Sequence, residues 1–271
     1  MKLKIKLPKE VNKVSLVLFE QQGHIGYITL NRPEMMNAFN FDMLQTLSTY
    51  VDSIRINPDI RLVIIQSGSD RAFSVGADLK ERKTLPDPLV IRNLNKFAEV
   101  FTNIEHLPQP TICVVNGYAF GGGFELALAC DFRIASTTAV VGLTETSLGI
   151  IPGAGGTQRL PRLIGETKAK ELIFTSRRVN AEEGYRLGLY TKIAEPSSLH
   201  DTVSDFANAI LANAPIAVQQ AKFAIGQGMK VDLHTGLQIE RKAYEATIPT
   251  EDRIEALNAF AEKRKPIFKG K

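Results

Sequence analysis

Residues Gly117–Gln158 read GYAFGGGFELALACDFRIASTTAVVGLTETSLGIIPGAGGTQ. Three glycines, Gly121 to Gly123, open an apolar helical run, and Glu125 sits just inside it. A second acid, Glu145, stands in Gly142-Leu-Thr-Glu-Thr146 between two further apolar segments. A helix N-terminus presents free N–H groups and partial positive charge. An acid there, beside glycines that let a ligand approach the backbone, suits chemistry on an oxygen atom. A plainer reading fits the same residues: glycine permits close helix packing, and the acid complements the helix dipole. The stretch by itself leaves both open.

Working outward, Thr111–Val115 is a buried-strand run that leads directly into the glycine-led helix. Before it, Leu94, Phe97, Phe101 and Ile104 mark one face of a helix. Arg71–Lys80 has no clean period and reads as a loop or turn whose small residues admit a ligand. Leu62–Ile65 is a short strand, and Leu44, Leu47, Val51 and Ile54 recur at helical spacing from Asn40 to Pro58. Val14–Phe19 and Ile25–Leu30 flank Gln21-Gln22-Gly23-His24, a hairpin signal. This alternation predicts an α/β core. After Gly156 the pattern is nearly all helical. An Asn180-Ala-Glu-Glu183 start resembles a capping box, and helices are expected over 201–211, 215–225, 233–246 and 249–263. The division expected is an α/β core over 1–195 and a helical portion over 196–271.

Composition narrows the function classes. The 271 residues are 44% hydrophobic and 23% charged, enough for a sizeable core. The net charge of +4 is concentrated at the ends, with Lys2, Lys4, Lys6, Lys9 and Lys13 at one and Lys263, Arg264, Lys265, Lys269 and Lys271 at the other. Such clusters are solvated termini or meet phosphate. Cys113 and Cys130 sit in apolar runs without metal-ligand spacing and read as buried free thiols. No apolar run reaches the length of a membrane span, and the first 20 residues carry no secretory apolar region. A cytoplasmic protein, or the mature matrix form of an organellar one, is expected. Gly153-Ala-Gly-Gly156 lacks the Lys-Ser/Thr of a phosphate loop, and no dinucleotide fingerprint follows the first strand. The four histidines show no paired metal spacing, so neither metal nor nucleotide cofactor is expected.

Several motifs in order resemble the enoyl-CoA hydratase/isomerase, or crotonase, family. They are Asn31-Arg32-Pro33 with Asn37-Ala38, Phe73–Lys80, Asn116–Glu125, and Glu145 with Ile151–Gln158. Within the family, Ala77-Asp-Leu-Lys-Glu-Arg82, Arg159–Arg162 and Gly226–Gly236 are similar to methylglutaconyl-CoA hydratases that also bind AU-rich RNA. The resemblance implies a spiral of ββα units followed by a helical C-terminal trimerisation region, in a homotrimer or dimer of trimers. It assigns backbone N–H groups of Ala77 and Gly122 to an oxyanion hole, and Glu125 and Glu145 to catalysis. Val75, Asp78, Leu79 and Lys80 would line the coenzyme A channel. Tyr244 and Lys263 would reach coenzyme A, that of a neighbouring subunit. Coenzyme A enters as part of the acyl-CoA substrate, in fatty-acid or leucine breakdown. Two departures add bulk: Val75 where relatives have alanine, and Phe124 where leucine or cysteine is common.

The implied chemistry is self-consistent. Water addition to a 2-enoyl thioester builds charge on the thioester oxygen, which two backbone donors would stabilise. One carboxylate takes a proton from water and one acid delivers a proton to the α-carbon. A double-bond isomerase needs only one acid, so the pair favours a hydratase, with a non-catalytic trimer disfavoured. RNA binding, the reading from another class, is weakened because Tyr50–Arg61 carries two arginines balanced by two aspartates. The acyl group is open between short straight chains and 3-methylglutaconyl, whose carboxylate would want a cation; Arg82 and Lys83 are the candidates.

Overall fold

The hairpin anticipated around Gln21–His24 forms. In the computed structural model, which describes residues 15–271, β1 (Val17–Gln22) pairs antiparallel with β2 (Ile25–Leu30). Val14 and the five lysines from Lys2 to Lys13 lie outside the described residues. Helix α1 (Phe41–Arg55) starts where the Asn40 side chain accepts a hydrogen bond from the Met43 N–H at 2.9 Å, a cap worth about 1 kcal/mol. Its predicted stripe, Leu44, Leu47, Val51 and Ile54, is buried throughout. Strand β3 (Leu62–Ser67) then runs parallel to β2.

Two short elements come next that periodicity did not show. They are β4 (Ala72–Ser74) and α2 (Leu79–Thr84). A three-residue strand is too brief to display alternation, and a six-residue helix too brief to display a stripe. Helix α3 (Asp87–Glu105) carries Pro88 in its first turn, where a missing N–H costs nothing. After β5 (Thr111–Val115) the chain makes β6 (Tyr118–Phe120) before α4 (Gly122–Ala129), so the strand does not lead directly into the helix as expected. Strands β7 (Phe132–Ser136) and β8 (Val140–Gly142) follow, then a 3-10 turn at Glu145–Leu148 and helices α5 (Gly156–Ile164) and α6 (Glu166–Phe174). The remainder is β9 (Val179–Asn180), α7 (Ala181–Arg186), β10 (Lys192–Ala194) and four helices: α8 (Leu199–Leu211), α9 (Pro215–Gly228), α10 (Leu233–Glu245) and α11 (Glu251–Ala261). At α7 only half of the capping box is made. Asn180 accepts from the Glu183 N–H, while the Glu183 carboxylate turns to Arg177 at 2.8 Å.

The strands sort into two sheets. One has the order β1-β2-β3-β5-β7-β10, parallel apart from the hairpin, and the other β4-β6-β8-β9. Consecutive strands fall in different sheets: β3 and β4, β5 and β6, β7 and β8. Each pair is followed by helix, which gives the α/β spiral of ββα units. The central strands β3, β5 and β7 are buried on both faces, as parallel strands require. Val63, Ile65, Cys113, Val115 and Ala135 face the main core. Their neighbours Leu62, Ile64, Ile112, Val114 and Ile134 pack against Leu199, Val203 and Ala207 of α8.

Turns of the spiral stack backbone on backbone. A Cβ on Gly117 would lie 2.4 Å from the Arg71 carbonyl oxygen, and one on Gly123 would lie 2.1 Å from that of Ser74. Main chain cannot yield as a flexible side chain can, so both positions exclude every larger residue. The Gly117→Ala variant is expected to lose about 1–3 kcal/mol of stability through overpacking, read as a lowered urea midpoint with an unchanged slope.

Candidate active site

The loop after β4 and the start of α4 meet along one cleft. Gly76 takes φ 88°, and a Cβ there would lie 2.8 Å from the Phe120 carbonyl oxygen and 2.9 Å from the Gly122 nitrogen. Glycine is the residue that accepts both the left-handed φ and the contact. On the other side, Phe39 braces the loop. Its N–H donates to the Gly76 carbonyl at 2.7 Å and its carbonyl accepts from the Asp78 N–H at 2.9 Å. The N–H of Ala77, between these bonds, and the N–H of Gly122, first residue of α4, donate to no acceptor among the described residues. Both residues line the cleft, so two unpaired donors come from adjoining segments.

Asn37 fixes the brace. It is wholly buried with φ 53°, and its amide donates to the Phe73 carbonyl at 2.9 Å and to Ser67 Oγ at 2.8 Å. Asn tolerates the left-handed region better than most residues. Asp78 is buried too and caps α2 by accepting from the Lys80 and Glu81 N–H groups. Its other oxygen accepts from Arg32 Nη1 at 2.7 Å. Burial raises the Asp78 carboxyl, but the Arg32 bond and the two N–H groups outweigh it and hold the group below the usual range.

The two acids lie in the same cleft. Glu125 is 3% exposed and Glu145 9%. Glu125 stands in the first turn of α4, as the plainer reading of the sequence has it, but its carboxylate is engaged elsewhere. Its Oε1 accepts from the Ala154 and Gly156 N–H groups, each at 2.8 Å. The Gly153–Gly156 stretch, set aside for lacking a phosphate-loop lysine, therefore has a different job: it cradles a carboxylate. Its glycine content and its place in the family motif Ile151–Gln158 marked the loop in the sequence, but neither showed what it holds. Arg159 secures it from behind, donating to the Ala154 carbonyl at 2.8 Å and to Glu105 at 2.6 Å.

Burial pushes the Glu125 carboxyl up, and the Gly156 and Ala154 N–H groups and the Arg159 charge partly offset this. Glu145 has fewer compensations. Its Oε2 is buried without a hydrogen-bond partner among the described residues. A Cβ on Gly121 would lie 3.0 Å from its Oε1, so glycine makes room for the carboxyl. Burial, then the neighbouring Glu125 charge, push Glu145 up to about 7. Two carboxyls that share a site titrate apart in this way.

The open cleft holds about 1310 Å³ and is walled mainly by apolar side chains. Val75, Ala77, Asp78, Leu79, Lys80, Gly122, Glu125 and Glu145 all line it. Tyr244, on α10, and Lys263, just after α11, are exposed and lie outside it. Of the two bulky departures, Val75 faces the cleft, whereas Phe124 is buried in the main core. Among the described residues no group of three or more His, Cys, Asp or Glu side chains is placed to hold a metal ion.

Known proteins match most of this chain's length. The family model for enoyl-CoA hydratase/isomerase matches residues 20–271. The short-chain-enoyl-CoA hydratase of Clostridium acetobutylicum is 42% identical over 250 residues, 92% of this chain and 95% of that protein. The mitochondrial methylglutaconyl-CoA hydratase of Homo sapiens is 44% identical over 257 residues, 93% of this chain and 76% of that protein. The crystal structure of an enoyl-CoA hydratase from Bacillus anthracis matches with a TM-score of 0.93 at 46% identity, covering 95% of this chain and 100% of that one. With a spiral of ββα units and a match of this extent, the chain belongs to the enoyl-CoA hydratase/isomerase family.

Proposed function

We propose that this protein is a hydro-lyase that adds water across the 2,3 double bond of a 2-enoyl-CoA thioester. One observation carries the reading: two buried carboxyls share a cleft with two backbone N–H groups that have no acceptor among the described residues. The thioester oxygen accepts from Ala77 and Gly122. Charge that develops there during water addition meets fixed donors, worth about 3–4 kcal/mol each in acyl-transfer enzymes. Glu125, anchored through Oε1, orients the water and takes its proton as the oxygen bonds to C3. The enolate collapses by taking a proton at C2 from Glu145, which near neutral pH is still partly protonated. Proton exchange between the acids, or with solvent, restores the starting charges. A double-bond isomerase would use one acid, and two placed acids support hydration instead. Val75, Asp78, Leu79 and Lys80 line the coenzyme A channel in this reading.

The assembly belongs to the proposal. Phe260 is 86% exposed and Leu233 77%, and Ile225 on α9 and Met229 just after it are also bare. Surface of that kind on neighbouring helices seeks a partner. We place α9–α11 in the contacts of a homotrimer or dimer of trimers, in which Tyr244 and Lys263 reach coenzyme A in a neighbouring subunit's cleft. No helix among the described residues is long and apolar enough to cross a membrane, and we place the reaction in the cytoplasm or an organellar matrix.

Three outcomes are expected. Loss of enoyl-thioester absorbance, followed across crotonyl-, longer-chain and methylglutaconyl-CoA, reports hydration. The Glu125→Gln and Glu145→Gln changes should each lower kcat by about 10²–10⁴-fold. The double variant should be little worse than the worse single, since the acids act as a unit. Wild-type kcat in either folded single variant would remove that residue from the mechanism; loss confined to Glu145→Gln would favour the isomerase.

The raised Glu145 carboxyl also sets a pH dependence. Its native form binds a proton more tightly than its unfolded form, so the stability it contributes is full below about pH 4.5 and is lost as pH rises through about 7. Glu145→Gln should therefore gain melting temperature relative to the parent as pH is raised from 5 to 8. A difference that stays constant over that range would contradict the assignment. Light scattering at micromolar concentration should give a multiple of three chains, and a monodisperse monomer would refute the trimer.

A further inference from the structure

We infer that Arg159 is a positioning residue: by clamping the loop that cradles Glu125, it makes Glu125 rather than Glu145 the base of the pair. This rests on the hydratase reading and deepens it. Arg159 stands on α5, is mostly buried, and does not line the cleft. The Ala154 and Gly156 N–H groups that hold Glu125 Oε1 belong to two peptides with a third between them. Helix α5 fixes the Gly155–Gly156 peptide, because the Gly155 carbonyl accepts from the Gln158 and Arg159 N–H groups at 3.0 and 2.8 Å. The middle peptide lies outside that ladder. Its carbonyl, that of buried Ala154, accepts from Arg159 Nη1 at 2.8 Å and from nothing else among the described residues. Gly155, at φ 109°, leaves the guanidinium room against the main chain, since a Cβ there would collide with Nη1.

The other edge of the guanidinium is tied as well. Nε and Nη2 donate to one Glu105 oxygen at 3.0 and 2.6 Å, and Nη2 reaches Thr102 Oγ1 at 3.5 Å. One planar fork thus spans α3 and the loop, which a single ammonium cannot do. Glu125 meets two aligned donors with a cation behind them. Glu145 meets no cation; burial and the Glu125 charge act on it instead. The charged groups that face this assembly are Glu145 from the 3-10 turn, Glu105 from α3 and, past Glu105, His106 with Lys230 and Arg55 beside it. Of the cations, Arg159 is the one that favours the charged form of Glu125. Without the clamp the two acids would compete for one proton on similar terms, and the division between base and acid would blur.

The pH profile of kcat/KM for crotonyl-CoA tests this, because its acid limb reports the proton that the base must lose. In Arg159→Met that limb should move up by about one pH unit, the low end of what a nearby opposite charge does to a carboxylate. The basic limb should stay in place. The variant should then lose about tenfold at acidic pH and much less at alkaline pH. Arg159→Lys keeps the charge but cannot span Ala154 and Glu105 together, and should fall between the two. His106→Gln should leave the limb where it is in the parent. The inference is overturned if Arg159→Met lowers kcat/KM by the same factor at every pH, which would make Arg159 a structural residue only. It is equally overturned if His106→Gln moves the acid limb as far as Arg159→Met does. Should Arg159→Met fail to fold, Arg159→Lys decides, and an acid limb identical to the parent's would overturn the inference. Failure of the parent to hydrate crotonyl-CoA or any longer-chain enoyl-CoA at any pH would remove the hydratase reading and this inference with it.

Discussion

Everything at the site depends on main chain lying against main chain where the loop after β4 crosses the start of α4. Gly76 and Gly123 let the two segments meet at distances that a Cβ forbids. That contact places the Ala77 and Gly122 N–H groups in one cleft. Phe39 occupies the hydrogen-bonding groups on either side of Ala77, so the Ala77 donor is left for a ligand. Because the donors are backbone, they cannot rotate away, and little reorganisation is needed when charge develops in front of them. The same rigidity makes the site intolerant of small changes in the turns beneath it.

The carboxyls answer a different constraint. A buried acid must be hydrogen-bonded or neutral. Glu125 takes the first course, with two N–H groups from the Gly153–Gly156 loop and the Arg159 charge behind it. Glu145 lacks such bonds, and burial and the nearby Glu125 charge raise its proton affinity. One loop therefore separates the two titrations. An ion pair, Arg159 with Glu105, ties that loop to α3, whose Leu94 and Phe97 line the cleft. Changes at α3 should be felt in the acids without touching them.

Outside the cleft the C-terminal helices are held by few but specific links. Lys222 of α9 pairs with Asp131 at 2.7 Å and donates to the Gln109 carbonyl. Buried Asp252 collects the Lys269 and Gly270 N–H groups and so folds the C-terminal tail back on α11. Between these anchors α9 and α10 pack on one another, leaving broad apolar faces bare. A single chain gains little from such faces, whereas an oligomer buries them.

Some of this was written in the sequence and some was not. Helix α1 was legible because a four-residue stripe recurs at helical spacing between Asn40 and Pro58. Strands β3 and β5 were legible because continuous apolar runs imply a sheet covered on both sides. The order of the motifs named the family and, with it, Ala77, Gly122, Glu125 and Glu145. Elements of three to six residues, β4, β6 and α2, escaped because they are shorter than the periods that would reveal them. Contacts between distant loops escaped for a deeper reason. That Ala154 and Gly156 hold Glu125, or that Arg32 takes Asp78, depends on which groups the fold brings within 3 Å. Local sequence carries residue type and period; pairing between segments tens of residues apart is decided only when the spiral closes and each buried polar group must find a partner.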